Sequence, residues 1–203
     1  MANIDKEAVD LFQQKAAPVS IKIVEVPGLD EAMAYALEVC EKKQPCELIP
    51  VAEGKFSAGD GGDARVVCVP NLSDKEYKTF ADLGQPKGFT ILRKGMRSYL
   101  SGIDVAFTTA GAAIADTATT IIESISEEVR LATMLAEIHV IALKKSQIKK
   151  SSYDVEDYLQ KIMEKGPAYT AFISGPSRTA DIERVLTIGV HGPLELHIAL
   201  VEG

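Results

Sequence analysis

The chain has 203 residues, 46% of them hydrophobic and 25% charged, with a formal net charge of -7. That size suits one α/β domain with a sizeable core. The acidic balance and the lack of a basic patch interleaved with aromatics argue against nucleic acid, and no apolar run reaches the ~20 residues of a membrane span. The charged, amphipathic start MANIDKEAVD does not read as a signal sequence, so a cytoplasmic location is expected. Cys40, Cys46 and Cys68 are three in number and lack CxxC spacing, which implies reduced thiols and no four-cysteine cluster within one chain. His139, His191 and His197 show no ligand-type spacing with them, so no metal site is expected.

In chain order, Asn3 or Asp5 can cap a first helix with Ile4, Ala8, Leu11 and Phe12 on one face, ended by Pro18. Residues 19–26 alternate as a strand. Leu29, Met33, Ala36, Leu37 and Cys40 follow at helical spacing, and Asp30 can cap that helix. Residues 47–52 form a possible strand. Residues 53–64 are glycine-rich, which allows a phosphate loop or a flexible turn; Asp60 and Asp63 carry the wrong charge for phosphate. Residues 65–69 read as a buried strand. Ser73 and Glu76 make a capping box for a helix over 73–83.

Further strands fall at 89–92, 105–108 and 119–123, with a turn or short helix over 111–116. Residues 129–137 read as a helix and 139–143 as a strand. The clearest helix spans 154–165, with Val155, Tyr158, Leu159, Ile162 and Met163 as one apolar face and Gly166-Pro167 as its stop. Strands at 169–173 and 194–201 complete an alternation of helices and short apolar runs. The pattern predicts an α/β fold with a largely parallel sheet covered on both faces.

Ligands of such sheets bind beyond the carboxyl ends of strands. Three stretches qualify: Thr109 to Gly111, Glu123-Ser124, and Ser174 to Thr179. In the last, Gly175 permits unusual φ and close approach, Ser177 or Thr179 can cap a helix starting near Ala180, and Arg178 offers a fork for a small carboxylate or phosphate. Equally, Asp181 and Glu183 can serve that helix start and pair with Arg178. His191, in the turn Gly189-Val190-His191-Gly192-Pro193, suits general acid/base work, or is only a turn residue. Asp116, Thr117, Thr119 and Glu123 surround a turn into a strand, where they bind a polar ligand or cap the turn, and Arg130 follows on a helix.

The run ISGPSRTADIERVLTIGVHGP resembles the C-terminal signature of the LUD domain family, of the lactate utilization protein C (LutC) type, through Gly175 to Ser177, Ala180 to Glu183 and Gly189 to Pro193. AFTTAGAAIADTATTIIES, Arg130, Leu135 and HVIALKKSQI resemble its upstream segment. The likeness runs from about Asp104 to Gly203. It departs at Asp116, where the family usually has Glu, at Ala118 for Gly and at Ala136 for Pro. The resemblance implies a three-layer sandwich of the NagB/RpiA/CoA-transferase-like class, with residues 1–17 as an N-terminal helix and 18–203 as the LUD-type domain. It also implies a cluster-free subunit of a system oxidising L-lactate to pyruvate. On this reading the chain itself carries no cofactor; iron–sulfur clusters sit on partners, an iron–sulfur protein and a cysteine-rich protein. The alternative is a stand-alone enzyme or sensor for a phosphorylated or CoA-like ligand. In either case Arg178 would hold the anion, with Gly175, Ser177, Thr179, Asp181, Gly192, Thr117, Thr119, Glu123 and Arg130 around it. His191 would move a proton, and Asp116 or Glu183 would orient it.

Overall fold

The structure is a computed structural model, and it describes residues 4–44, 50–51, 55–56, 65–99, 102–166, 169–179, 187–188 and 192–202. Helix α1 (Lys6–Ala16) starts at Asp5, whose carboxylate accepts the Ala8 N–H. A single 3-10 turn and Ser20, in the left-handed region at φ 61, lead into β1 (Ile21–Val26). The strand therefore begins two residues later than the alternation from 19 predicts, because Pro18 falls within that turn.

Helix α2 (Leu29–Lys42) follows, starting at Gly28 and not at Asp30, which lies in its first turn where its charge complements the helix dipole; then come the two-residue strands β2 (Pro50–Val51) and β3 (Lys55–Phe56) and β4 (Val66–Cys68). Helix α3 (Asp74–Gly84) carries the capping box read from sequence, with Ser73 and Glu76 bonded reciprocally. β5 (Thr90–Leu92) and β6 (Ile103–Thr109) come next. β7 (Ala112–Ile114) occupies the stretch read as a turn or short helix. Pairing between β8 (Thr119–Ser124) on one side and β10 (Ile148–Lys149) on the other makes it a strand, overriding the weak propensity of small residues.

Helix α4 (Glu127–Leu135) ends one residue before β9 (Ala136–Lys144), so the predicted helix over 129–137 gives its last two residues to a strand. β10 (Ile148–Lys149), a 3-10 turn over 152–155, α5 (Glu156–Glu164) and β11 (Tyr169–Ile173) follow. β12 (Arg178–Thr179), β13 (Thr187–Ile188) and β14 (Glu195–Val201) close the chain.

Six strands form one sheet in the order β1-β14-β9-β6-β4-β5, and every pair is parallel. Four more make a second sheet, β10-β7-β8-β11. On one face of the main sheet lie α2 and α3, burying Met33, Leu37, Phe80 and Phe107; the two phenylalanine rings meet at 5.3 Å. Each such side chain contributes roughly 1.5–3 kcal/mol on burial. On the other face α1 and the second sheet enclose Phe12, Ile122, Ile141 and Leu143, with α4 alongside. The layered α/β architecture predicted from sequence is what the chain adopts. α1 packs into this second core through Ala8, Val9, Phe12 and Ala16.

Between β7 and β8 the chain turns at Ala118, which is fully buried and holds φ 49. An alanine tolerates this left-handed geometry at a cost of about 1 kcal/mol; a β-branched residue does not. Ala118→Val should lower stability by about 2–3 kcal/mol through combined backbone and packing strain. A urea midpoint at neutral pH checks this; an unchanged midpoint contradicts the geometry of the turn.

Candidate functional site

The carboxyl ends of the parallel strands open into a cleft of about 570 Å³. Its floor is Thr109 at the end of β6 and Ala110 just after it, Ala142 and Lys144 at the end of β9, and Val201 at the end of β14. Leu29 at the start of α2 and Ile125 form apolar walls. A parallel sheet places its site there because the loops at these ends diverge while the strands stay packed.

Three polar side chains of the cleft, Asn71, Glu123 and Tyr158, are held by contacts between residues distant in sequence. Asn71, in the loop before α3, clamps the end of β6: its amide donates to the Thr109 carbonyl at 2.9 Å and its side-chain oxygen accepts the Thr109 N–H at 3.1 Å. Glu123, near the end of β8, accepts the Tyr158 hydroxyl at 3.0 Å and faces the Lys165 ammonium at 3.4 Å. Burial first, and then the hydrogen bond to Glu123, push the Tyr158 phenol well above its usual value. Tyr158 is thus a permanent donor, unsuited to act as a base. Gly111 makes room for it, since a Cβ there would lie 1.9 Å from the Tyr158 oxygen. Lys144 contributes an exposed cation. Beside it, buried Lys145, just after β9, bridges Glu25 near the end of β1 and Glu202 just after β14, tying these three strand ends together.

The sequence-predicted residues separate into groups. Glu123 lines the cleft. Thr117 and Thr119 lie at the opposite end of β8, where their hydroxyls are 2.8 Å apart and Thr119 reaches Ser174 at 2.6 Å. Asp116 is exposed and its N–H donates to the Lys150 carbonyl at 3.1 Å. Gly175, at φ 116, passes over the Val19 carbonyl with no space for a Cβ. The Ser177 N–H bonds the Pro193 carbonyl at 2.8 Å, and Gly192 packs on Ser177. Arg178 donates to Ser20 at 2.5 Å, at the turn between α1 and β1. Thr179 continues β12, paired with β13. Asp181, Glu183 and His191 lie outside the described residues, as do the glycine-rich residues 57–64. Arg130 stands with Glu123 at a neighbouring cavity.

Tyr158, Asn71, Lys144 and Gln147 carry no ligand signal in the sequence, yet they line the cleft. Helical periodicity assigns Tyr158 to an apolar face. In the structure only Val155 and Ile162 of that face are buried, and Met163 is 74% exposed. The strand-end rule is the signal that reaches the site, because two of its three stretches, Thr109 to Gly111 and Glu123-Ser124, adjoin it.

The LUD domain profile matches residues 9–201. An uncharacterized protein of Neisseria meningitidis serogroup B is 33% identical over 51% of this chain and 44% of its own length. Lactate utilization protein C of an Exiguobacterium species is 34% identical over 48% of this chain and 44% of its own length. Its namesake in a Geobacillus species is 31% identical over 48% and 42%. The chain thus covers less than half the length of the curated relatives it matches. A crystal structure of a DUF162 family protein from Deinococcus radiodurans superimposes with a TM-score of 0.61 over 96% of both chains at 20% identity, which establishes the likeness of fold.

Proposed function

This chain belongs to the LUD domain family, and from that premise we propose that it serves L-lactate utilization as the cluster-free subunit of a system that oxidises lactate to pyruvate. The cleft at the strand ends carries this reading. It joins a cation, Lys144, to a carboxylate, Glu123, and a locked hydroxyl donor, Tyr158, over an apolar floor. Lys144 offers a counter-charge to the carboxylate of a small hydroxy or oxo acid. Glu123 is the acceptor beside it for a ligand hydroxyl.

Electrons leaving lactate need an acceptor. With three cysteines the chain cannot ligate a four-cysteine cluster alone. Cys40 and Cys68 are buried in the core, and burial pushes the Cys40 thiol up to about 12, far from the thiolate a metal needs. Iron–sulfur clusters on an iron–sulfur protein and a cysteine-rich partner complete the system in this proposal. The names of the Exiguobacterium and Geobacillus relatives support the pathway.

A strain lacking the chain should fail to grow on L-lactate as sole carbon source. Wild type should restore growth, and Glu123→Gln should restore it at no more than about a tenth of the rate, since a hydrogen bond to a charged group contributes about 1.5–3 kcal/mol. Normal growth of the deletion strain would end the proposal.

The cleft volume favours a second reading. At about 570 Å³ it lies in the range of cofactor-sized ligands and far exceeds lactate. A stand-alone enzyme or sensor of a phosphorylated or CoA-like ligand predicts a melting-temperature rise with sugar phosphates or acyl-CoA and none with lactate or pyruvate. The lactate reading predicts the reverse.

A further inference from the structure

A second cavity of about 480 Å³ lies on the other side of Glu123 and Ile125, which line both spaces. Its polar lining is Ser124, Arg130, Lys165 and Tyr169 besides Glu123. Two cations therefore face one carboxylate, the reverse of the main cleft, where Glu76 and Glu123 face Lys144.

Arg130 is the distinctive member. It projects from α4, is half-buried, and its guanidinium carbon stands 5.6 Å from the centre of the Tyr169 ring. Among the described residues it forms no ion pair with a carboxylate. Every other arginine with a described side chain has a polar partner: Arg65 the Lys43 carbonyl, Arg93 Asp74, Arg97 Glu127 and Arg178 Ser20. A guanidinium gains from stacking on an aromatic face, and stacking fixes its plane while leaving its N–H edge free. That edge matches a carboxylate or phosphate bidentately. Lys165 stands at the same cavity, 67% exposed and 3.4 Å from Glu123, a contact too weak and too wet to hold it against an anion. Ile125 and Ile162 supply apolar wall for a short hydrocarbon body.

We propose that this second cavity is a binding site for a small organic anion, a carboxylate or phosphate, with Arg130 on its Tyr169 platform as the anchoring residue. The site stands on this cavity alone and does not depend on the lactate reading of the main cleft. Its cation is fixed in place before the ligand arrives, so the cost of ordering a long side chain on binding is reduced.

Calorimetric titration of the whole chain with sodium pyruvate and, separately, with inorganic phosphate tests this, at ionic strength matched with chloride. At least one titrant should saturate with a Kd of about 1 mM or tighter. Pyruvate alone saturating assigns a carboxylate site, phosphate alone a phosphate site, and both a site selecting charge. Arg130→Gln should weaken binding about tenfold or more, as loss of a charged hydrogen-bond partner does. Tyr169→Leu, which keeps the guanidinium and removes its platform, should weaken it about threefold. Arg97→Gln, the same charge change outside the cavity, should leave it unchanged. No saturation beyond the chloride control overturns the proposal, as does Arg130→Gln binding like wild type with an unchanged melting temperature.

Discussion

Gly111→Ala should destabilise the protein by about 3 kcal/mol, at the upper end of overpacking costs, and disable the cleft at the same time. The added Cβ would lie 1.9 Å from the Tyr158 oxygen and 2.7 Å from its ring carbon Cζ. Gly111 cannot easily retreat, because its N–H donates to the Ile121 carbonyl at 3.0 Å in the crossover between β6 and β7. Tyr158 must therefore swing away from Glu123, losing the 3.0 Å hydrogen bond and leaving a part-buried carboxylate with one donor fewer. For a chain of this length the melting temperature should fall by about 6–12 °C. The control is Tyr158→Ala, which removes the obstructing ring. If the clash is the cause, adding Gly111→Ala on that background costs far less than in wild type, a coupling of about 1–3 kcal/mol. Additive effects would show that Gly111 serves its own backbone and not the tyrosine.

That pair also shows where the sequence stops being informative. Gly111 and Tyr158 are 47 positions apart, and nothing local to either announces the other. The layered fold was legible because its determinants are local. Residues 65–69 and 139–143 are short, mostly apolar runs that read as strands buried on both faces, and β4 and β9 form there. Ser73 and Glu76 announce the start of α3 three residues apart. β7 was not legible: Ala112–Ile114 has no strand signal of its own and becomes one through β8 and β10.

The site divides in the same way. Glu123 was found because the end of an apolar run is a local feature. Asn71 was missed because its role is a contact with Thr109 across 38 positions. Arg178 carries the sequence signals of an anion site, a glycine turn and a free fork, yet the structure sets it on Ser20, 158 positions earlier. Turn chemistry defines the backbone around Arg178; the partner of its side chain is decided by the packing of α1 and β1.

His139 makes the second large effect, a loss of stability on mild acidification. The side chain is fully buried in β9, with Nε2 2.8 Å from the Thr108 hydroxyl and with Nδ1 lacking a partner among the described residues. Burial holds its pKa down at about 3, against an ordinary value of 6.5. The unfolded chain therefore takes up a proton as pH falls through ~6.5, while the native protein does not until about pH 3. Between those limits the unfolded state binds more protons, so stability is complete above ~6.5 and declines as pH falls, by up to about 1.4 kcal/mol per pH unit. His197, also lowered by burial, acts in the same direction. Carboxylates held low by their partners, such as Glu25 beside Lys145 and Asp74 beside Arg93, add their losses only below ~4.5, where unfolded carboxyl groups titrate. The window from pH 6.5 to 5 thus isolates the histidines. Urea midpoints should fall across it in wild type, and His139→Leu should fall less steeply, by close to one proton's slope, whatever its stability at pH 7. Parallel curves for the two proteins would mean that His139 is charged, or reached by water, in the native state.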